Sequence, residues 1–153
     1  MRKIILPGIA AALLWICLLP CLAQDKGYWR AASNTAHSIT GDIAISDFKL
    51  SINYLPFTIA QIRQLKPEEA ASAFSIGDHP GGSGYLYRLN VPAAKRFLHK
   101  NTLCGSDATQ WMATYAAGND LQVAFFSGAK PPVFTSEALA DSTNLCGLYT
   151  YAR

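Results

Sequence analysis

The chain has 153 residues, of which 50% are hydrophobic and only 15% charged, with a formal net charge of +3. No block of Lys and Arg appears, so the charge pattern offers no footprint for nucleic acid or for an anionic membrane surface. CxxC and HxxxH spacings are missing, as are the glycine-rich phosphate and dinucleotide patterns, so neither a metal site nor a cofactor is expected.

Residues 1–23 read as a secretory signal. Arg2 and Lys3 precede the charge-free run "IILPGIAAALLWICLLP", and "CLA" ends it before the polar "QDK". Cleavage is expected after Ala23. Residues 4–23 reach the length of a membrane span, but Pro7, Gly8 and Pro20 make a poor spanning helix. Lipidation at Cys21 is a minor alternative. Pro20 stands just before that cysteine, where bacterial lipoprotein signals usually carry Gly or Ala. The mature chain, 24–153, is then one domain with a net charge of +1, secreted or periplasmic, with no integral membrane segment left after cleavage.

Within it, "AHSITGDIAIS" (36–46) alternates Ile39, Ile43 and Ile45 with polar residues, and "DFKLSINY" (47–54) repeats the pattern. Period two with β-branched and aromatic residues predicts half-buried strands. Pro56 interrupts, and "FTIAQIRQL" (57–65) is expected as a third strand. "PEEAASAF" (67–74) predicts one or two helical turns, with Pro at the start and acids in the first turn. "IGDHPGGSG" (76–84) predicts a loop and "YLYRLNV" (85–91) a strand, while "PAAKRFLHKN" (92–101) suggests a short helix.

Residues 107–117 fit either a capped helix or a strand; the strand, paired with 121–128 through "AGND", is the reading we adopt. "SEALADS" (136–142) is at most a short helix, and "LCGLYTYA" (145–152) predicts a last strand. The sum is all-β with minor helices: a small antiparallel barrel or sandwich of about seven strands.

Two cysteines leave with the signal. Cys104 and Cys146 remain, each followed by Gly, in an exported chain where disulfides persist. One bond between them would stabilise the fold by about 4 kcal/mol in the chain-entropy model. A cysteine nucleophile is the sharper reading. His99 stands five residues before Cys104, but nothing in the sequence orients the pair.

Other chemistry is sparse. "GGSGY" lacks the final Gly of a hydrolase elbow, because position 85 is Tyr. Asp78-His79 is the best acid–base pair by chemistry, set in a loop. Tyr85, Tyr87, Tyr149 and Tyr151 recur at strand spacing, as core or as a recognition surface. Ser83-Gly84-Tyr85-Leu86-Tyr87 resembles the SGxxY motif of bacterial periplasmic inhibitors of c-type lysozyme, which are small disulfide-bonded β-barrels. That resemblance implies a loop that enters the enzyme's active site. It covers five residues, and the family's second motif, Tyr and then Lys-Gly before an apolar pair, has no counterpart here.

The functional expectation is a non-enzymatic exported module binding an unknown protein or small ligand. Asp78, His79, Ser83, Gly84, Tyr85 and Tyr87 form the candidate binding loop. The alternatives are an inhibitor of an extracellular hydrolase, acting through 76–84, and a hydrolase whose site assembles from distant residues.

Overall fold

In the computed structural model, which describes residues 24–77 and 81–153, the alternating segments close into an antiparallel barrel. The leader and its expected cleavage site at Ala23 lie outside the described residues. Eight strands follow in chain order: β1 (Gly27–Ala31), β2 (Ile43–Ile45), β3 (Lys49–Ile52), β4 (Leu55–Gln64), β5 (Ser83–Val91), β6 (Thr109–Ala117), β7 (Asp120–Phe126) and β8 (Leu145–Ala152). Each pairs with the next, and β1 pairs with β8 through Arg30–Ala152 and Ala31–Tyr151. Two short helices accompany them, α1 (Pro67–Ala73) and α2 (Ser136–Ala140). Among the described residues, no helix is long and apolar enough to cross a membrane.

The all-β expectation holds, with one strand more than expected. That strand is β1, "GYWRA", in which Trp29 points inward between exposed Tyr28 and Arg30. Three residues of alternation are too few to stand out in a sequence. The segment 36–46 is strand only at its end. Its first half is a π-helical turn, Ala36–Thr40, started by the Ala36 N–H donating to Ser33 Oγ (3.1 Å) and ended at Gly41 with φ +60°. Pro56 does not break β4. Pairing with β5 begins only at Ile59, so Pro56 sits where one edge of the strand is open, a place proline tolerates.

The expected helix over 92–101 reduces to one 3-10 turn, Leu98–Lys100. His99 Nδ1 and Asn101 Nδ2 both bond the Ser38 carbonyl, at 3.0 and 3.1 Å, and pull the chain across the barrel end instead. The ambiguous 107–117 segment is β6, joined to β7 by a turn at Gly118 with φ +58°.

Two cores result. Inside the barrel, Trp29, Ile43, Leu50, Ile52, Tyr87, Met112, Val123, Phe125, Tyr149 and Tyr151 are buried and leave the interior filled. A second core lies on the outer face of β5–β7, with Leu145 at the start of β8 partly buried against it. There Leu86, Trp111, Ala113, Tyr115, Ala124 and Phe126 are covered by Leu65, by Ala70 of α1 and by Phe74 and Phe134. Strands β6 and β7 are therefore apolar on both faces, and every residue of β6 except Gln110 is buried or nearly so.

Cys104 and Cys146 are joined, with Cα atoms 4.9 Å apart, tying the β5–β6 connection to the start of β8. The same end is closed by the π-helical turn, whose Thr40 Oγ1 lies 2.7 Å from the Tyr151 hydroxyl, and by Phe97 against Phe57.

Candidate functional site

The filled interior leaves the surface as the place for binding, and two concavities flank the β4–β5 seam. The first lies outside the wall. Gln64 and Leu65 at the end of β4, Pro67 and Ala70 of α1, Ile76, the glycine-rich rim at 81–84 and Tyr115 of β6 enclose a cleft of about 490 Å³. Helix α1 is set over it by local chemistry. Pro67 starts the helix, and Glu69 accepts from the Lys66 N–H (2.8 Å) and from both Arg63 guanidinium nitrogens (2.7 and 2.9 Å). The Arg63 pair, followed by the Lys66 N–H, holds the Glu69 carboxyl below its ordinary value.

The glycines shape this cleft by letting backbone approach backbone. A Cβ at Gly82 would lie 2.4 Å from the Ala116 carbonyl, and one at Gly84 would lie 2.9 Å from the Thr114 carbonyl. The Gly82 N–H donates to the Tyr115 hydroxyl at 3.0 Å. Glycine at these positions is a packing requirement of the rim.

The second concavity is the mouth of the barrel. Strand β3 pairs with β4 only over Leu55–Thr58, so beyond Ile59 the β4 strand has β5 on one side and no strand on the other among the described residues. Into this gap in the wall fall Gln24, Asp25, Lys26, Asp47, Gln61 and Tyr85, around a cavity of about 280 Å³. Asp25 is 1% exposed. Its Oδ2 accepts from the Tyr87 hydroxyl (2.7 Å) and from Thr114 Oγ1 (2.6 Å), and its carbonyl accepts from Trp29 Nε1 (2.8 Å). Lys26 Nζ donates to the Tyr87 hydroxyl (3.0 Å) and to the Ser46 carbonyl (3.3 Å). Burial, then the Asp25 carboxylate, pushes the Tyr87 hydroxyl far up, so it stays a donor. Arg153 clamps this end: Nη2 donates to the Gln24 and Lys26 carbonyls (3.0 and 2.6 Å), and the guanidinium stacks over Trp29.

Strand alternation divides the expected binding loop. Ser83 is buried, Gly84 packs against Leu65 and the Thr114 backbone, Tyr85 lines the mouth half-buried, and Tyr87 is fully buried on Asp25. Asp78 and His79 lie outside the described residues. The resemblance to lysozyme inhibitors agrees with the disulfide-bonded barrel, but the Ser83 and Tyr87 side chains are not on the surface. Cys104 is in a disulfide, and His99 bonds the Ser38 carbonyl, so the two do not form a thiol–imidazole pair. Among the described residues, no group of three His, Cys, Asp or Glu is placed to hold a metal ion.

Sequence reasoning missed Asp25, Lys26, Gln61 and Tyr115. "QDK" reads as the polar start of a mature chain, and nothing local says that Asp25 folds inward. Thr114 was the available signal, since it shares the inward face of β6 with Met112 and asks for a polar partner. Comparison with known proteins found no family model, no curated protein and no solved structure that matches the chain.

Proposed function

We propose that this chain is an exported, non-enzymatic binding module, secreted or periplasmic, that takes an apolar group of a protein partner or small ligand into the cleft beside α1. The observation that carries the reading is the contrast between a filled barrel and an open outer cleft of about 490 Å³ walled by Leu65, Ala70, Ile76 and Tyr115. Concave, mostly apolar sites of about 300–1,000 Å³ are where small ligands and anchoring side chains usually bind. Export is supported by the leader's pattern and by a disulfide, which persists in oxidising compartments.

The test is titration with the apolar dye 1-anilinonaphthalene-8-sulfonate. Saturable fluorescence enhancement is expected, and Gln64→Trp, which adds bulk to the cleft from its exposed β4 rim, should abolish it while circular dichroism stays unchanged. Enhancement retained in a folded Gln64→Trp variant contradicts the reading.

A second reading, inhibition of an extracellular hydrolase, draws on the same rim. Residues 76–77 and 81–84 border the cleft, and the barrel with its disulfide is the fold that the SGxxY resemblance implies. Such an inhibitor would act through 77–82, since Ser83 is buried. A c-type lysozyme assay decides it: inhibition at micromolar protein, lost on deleting 77–82, supports this reading, and no inhibition removes it.

A further inference from the structure

A carboxylate that is 1% exposed, inside a barrel otherwise filled with aromatic and aliphatic side chains, is costly unless it is fully bonded. Asp25 meets this condition on one oxygen only. Tyr87 and Thr114 both donate to Oδ2, and among the described residues no hydrogen bond falls on Oδ1. No fully buried side-chain polar atom is left without a partner, so Oδ1 keeps part of the small area that Asp25 exposes, and Asp25 is among the residues that line the mouth cavity. The other charged groups on that wall are Asp47 and Lys26. The Lys26 ammonium already serves the Tyr87 hydroxyl, the Ser46 carbonyl and, at 3.9 Å, Asp47. The cavity lining therefore holds two carboxylates and one ammonium, and both nearby cations are engaged: Lys26 on these groups, and Arg153, outside the lining, on the Gln24 and Lys26 carbonyls and the Trp29 ring.

We propose that the mouth of the barrel is a binding site for a small primary ammonium compound bearing hydroxyl groups, of the amino-alcohol or amino-sugar class. The ammonium meets Asp25 Oδ1 in a charge-assisted hydrogen bond. The Gln61 amide nitrogen, whose partner oxygen already accepts from the Tyr87 hydroxyl (3.3 Å), and the exposed Asp47 carboxylate supply partners for hydroxyls, and the half-buried Tyr85 ring offers the cation an aromatic neighbour. A cavity of about 280 Å³ suits a molecule of monosaccharide size. The site is built by the fold: Tyr87 and Thr114 fix the carboxylate from β5 and β6, and the missing β3 partner of β4 leaves the way in open. It is separate from the apolar cleft and does not depend on it.

The probe is glucosamine, with glucose and N-acetylglucosamine as controls that lack the cation, followed by amide NMR of the full folded chain. Saturable shifts at Asp25, Lys26, Gln61 and Tyr85 with glucosamine alone are expected. Asp25→Asn should weaken binding about tenfold or more, the size of a lost charge-assisted bond. Asp47→Asn, at the exposed rim, should weaken it about twofold. If Asp25→Asn does not fold, Gln61→Glu serves instead: a third carboxylate at the mouth should tighten glucosamine severalfold. The proposal is overturned if glucose binds as well as glucosamine, if millimolar glucosamine produces no saturable shifts, if folded Asp25→Asn binds as the parent does, or if Gln61→Glu leaves the affinity unchanged.

Discussion

The β5–β8 half of the barrel and the β1–β4 half follow the same alternating rule and end in different surroundings. Strands β5–β8 run seven to nine residues, and β5–β7 carry a second core on their outer face, under α1, Phe74 and Phe134, while Leu148 of β8 is 51% exposed. In the other half, β1–β3 are three to five residues long, and the outer surface of the half presents Tyr28, Phe48, Tyr54 and Ile62, each at least 50% exposed. A wall packed on both sides is stiff and closed. A wall packed on one side is thin, and it opens where β3 stops short of β4. The α1 cleft and the mouth cavity fall at the junction of the two halves, where cover on one side meets a gap on the other, while two smaller cavities of about 260 and 250 Å³ lie around Phe126 and α2 in the outer layer of the covered half.

Adjacent residues test the contrast most strongly. Phe125 points into the barrel against Tyr149, and Phe126 points out against Phe134. Phe125→Ala and Phe126→Ala should each cost about 3–5 kcal/mol in chemical denaturation, because both faces of this half are core. If Phe126→Ala costs as little as a surface change, the outer layer is decoration and the comparison fails.

The disulfide belongs wholly to the covered half, since it joins the β5–β6 connection to β8. The double variant Cys104→Ser and Cys146→Ser should lose about 2–4 kcal/mol. Hydrogen exchange should then accelerate first in β8, the strand it anchors.

The interior tyrosines predict an alkaline limit. Burial raises the Tyr149 hydroxyl to about 12, and it raises those of Tyr87 and Tyr151 further. Each group binds its proton more tightly folded than unfolded. Their contribution is therefore whole below the ordinary tyrosine value of about 10 and is lost as pH rises through the folded values. Tyrosinate absorbance followed against pH should rise together with unfolding. In Tyr149→Phe, one such group is removed, and the alkaline midpoint should move up.

The smallest effect belongs to the uncovered half. Phe48, 77% exposed, should tolerate Phe48→Ala within about 0.5 kcal/mol. A larger loss in thermal unfolding would mean that this surface is covered in solution.

How much of this was legible in the sequence depended on which half was being read. Alternation in 47–54, 85–91 and 145–152 was plain because one face of each is polar or small. The repeated Leu-Cys-Gly was enough to pair Cys104 with Cys146. "WMATYAA" was ambiguous for a physical reason: a strand buried on both faces loses its polar alternation, so Trp111 and Met112 look equally apolar while pointing opposite ways. The π-helical turn at 36–40 was hidden because Ile39 kept the strand period by coincidence, while the bond from Ala36 to Ser33 that turns the chain has no periodic signature. At the candidate sites, the motif drew attention to Ser83 and Tyr87, which the fold buries. Asp25 acquires its role only when β5 and β6 bring Tyr87 and Thr114 to it from 62 and 89 residues away.

The central claim is that this barrel binds on its wall and not within it. A methyl and aromatic NMR map of the folded chain, titrated with 1-anilinonaphthalene-8-sulfonate, tests that most directly. The account predicts saturating shifts at Leu65, Ala70, Ile76 and Tyr115, with Leu50, Val123 and Tyr149 unmoved. Shifts centred on Leu50, Val123 and Tyr149, with the α1 cleft silent, would contradict it.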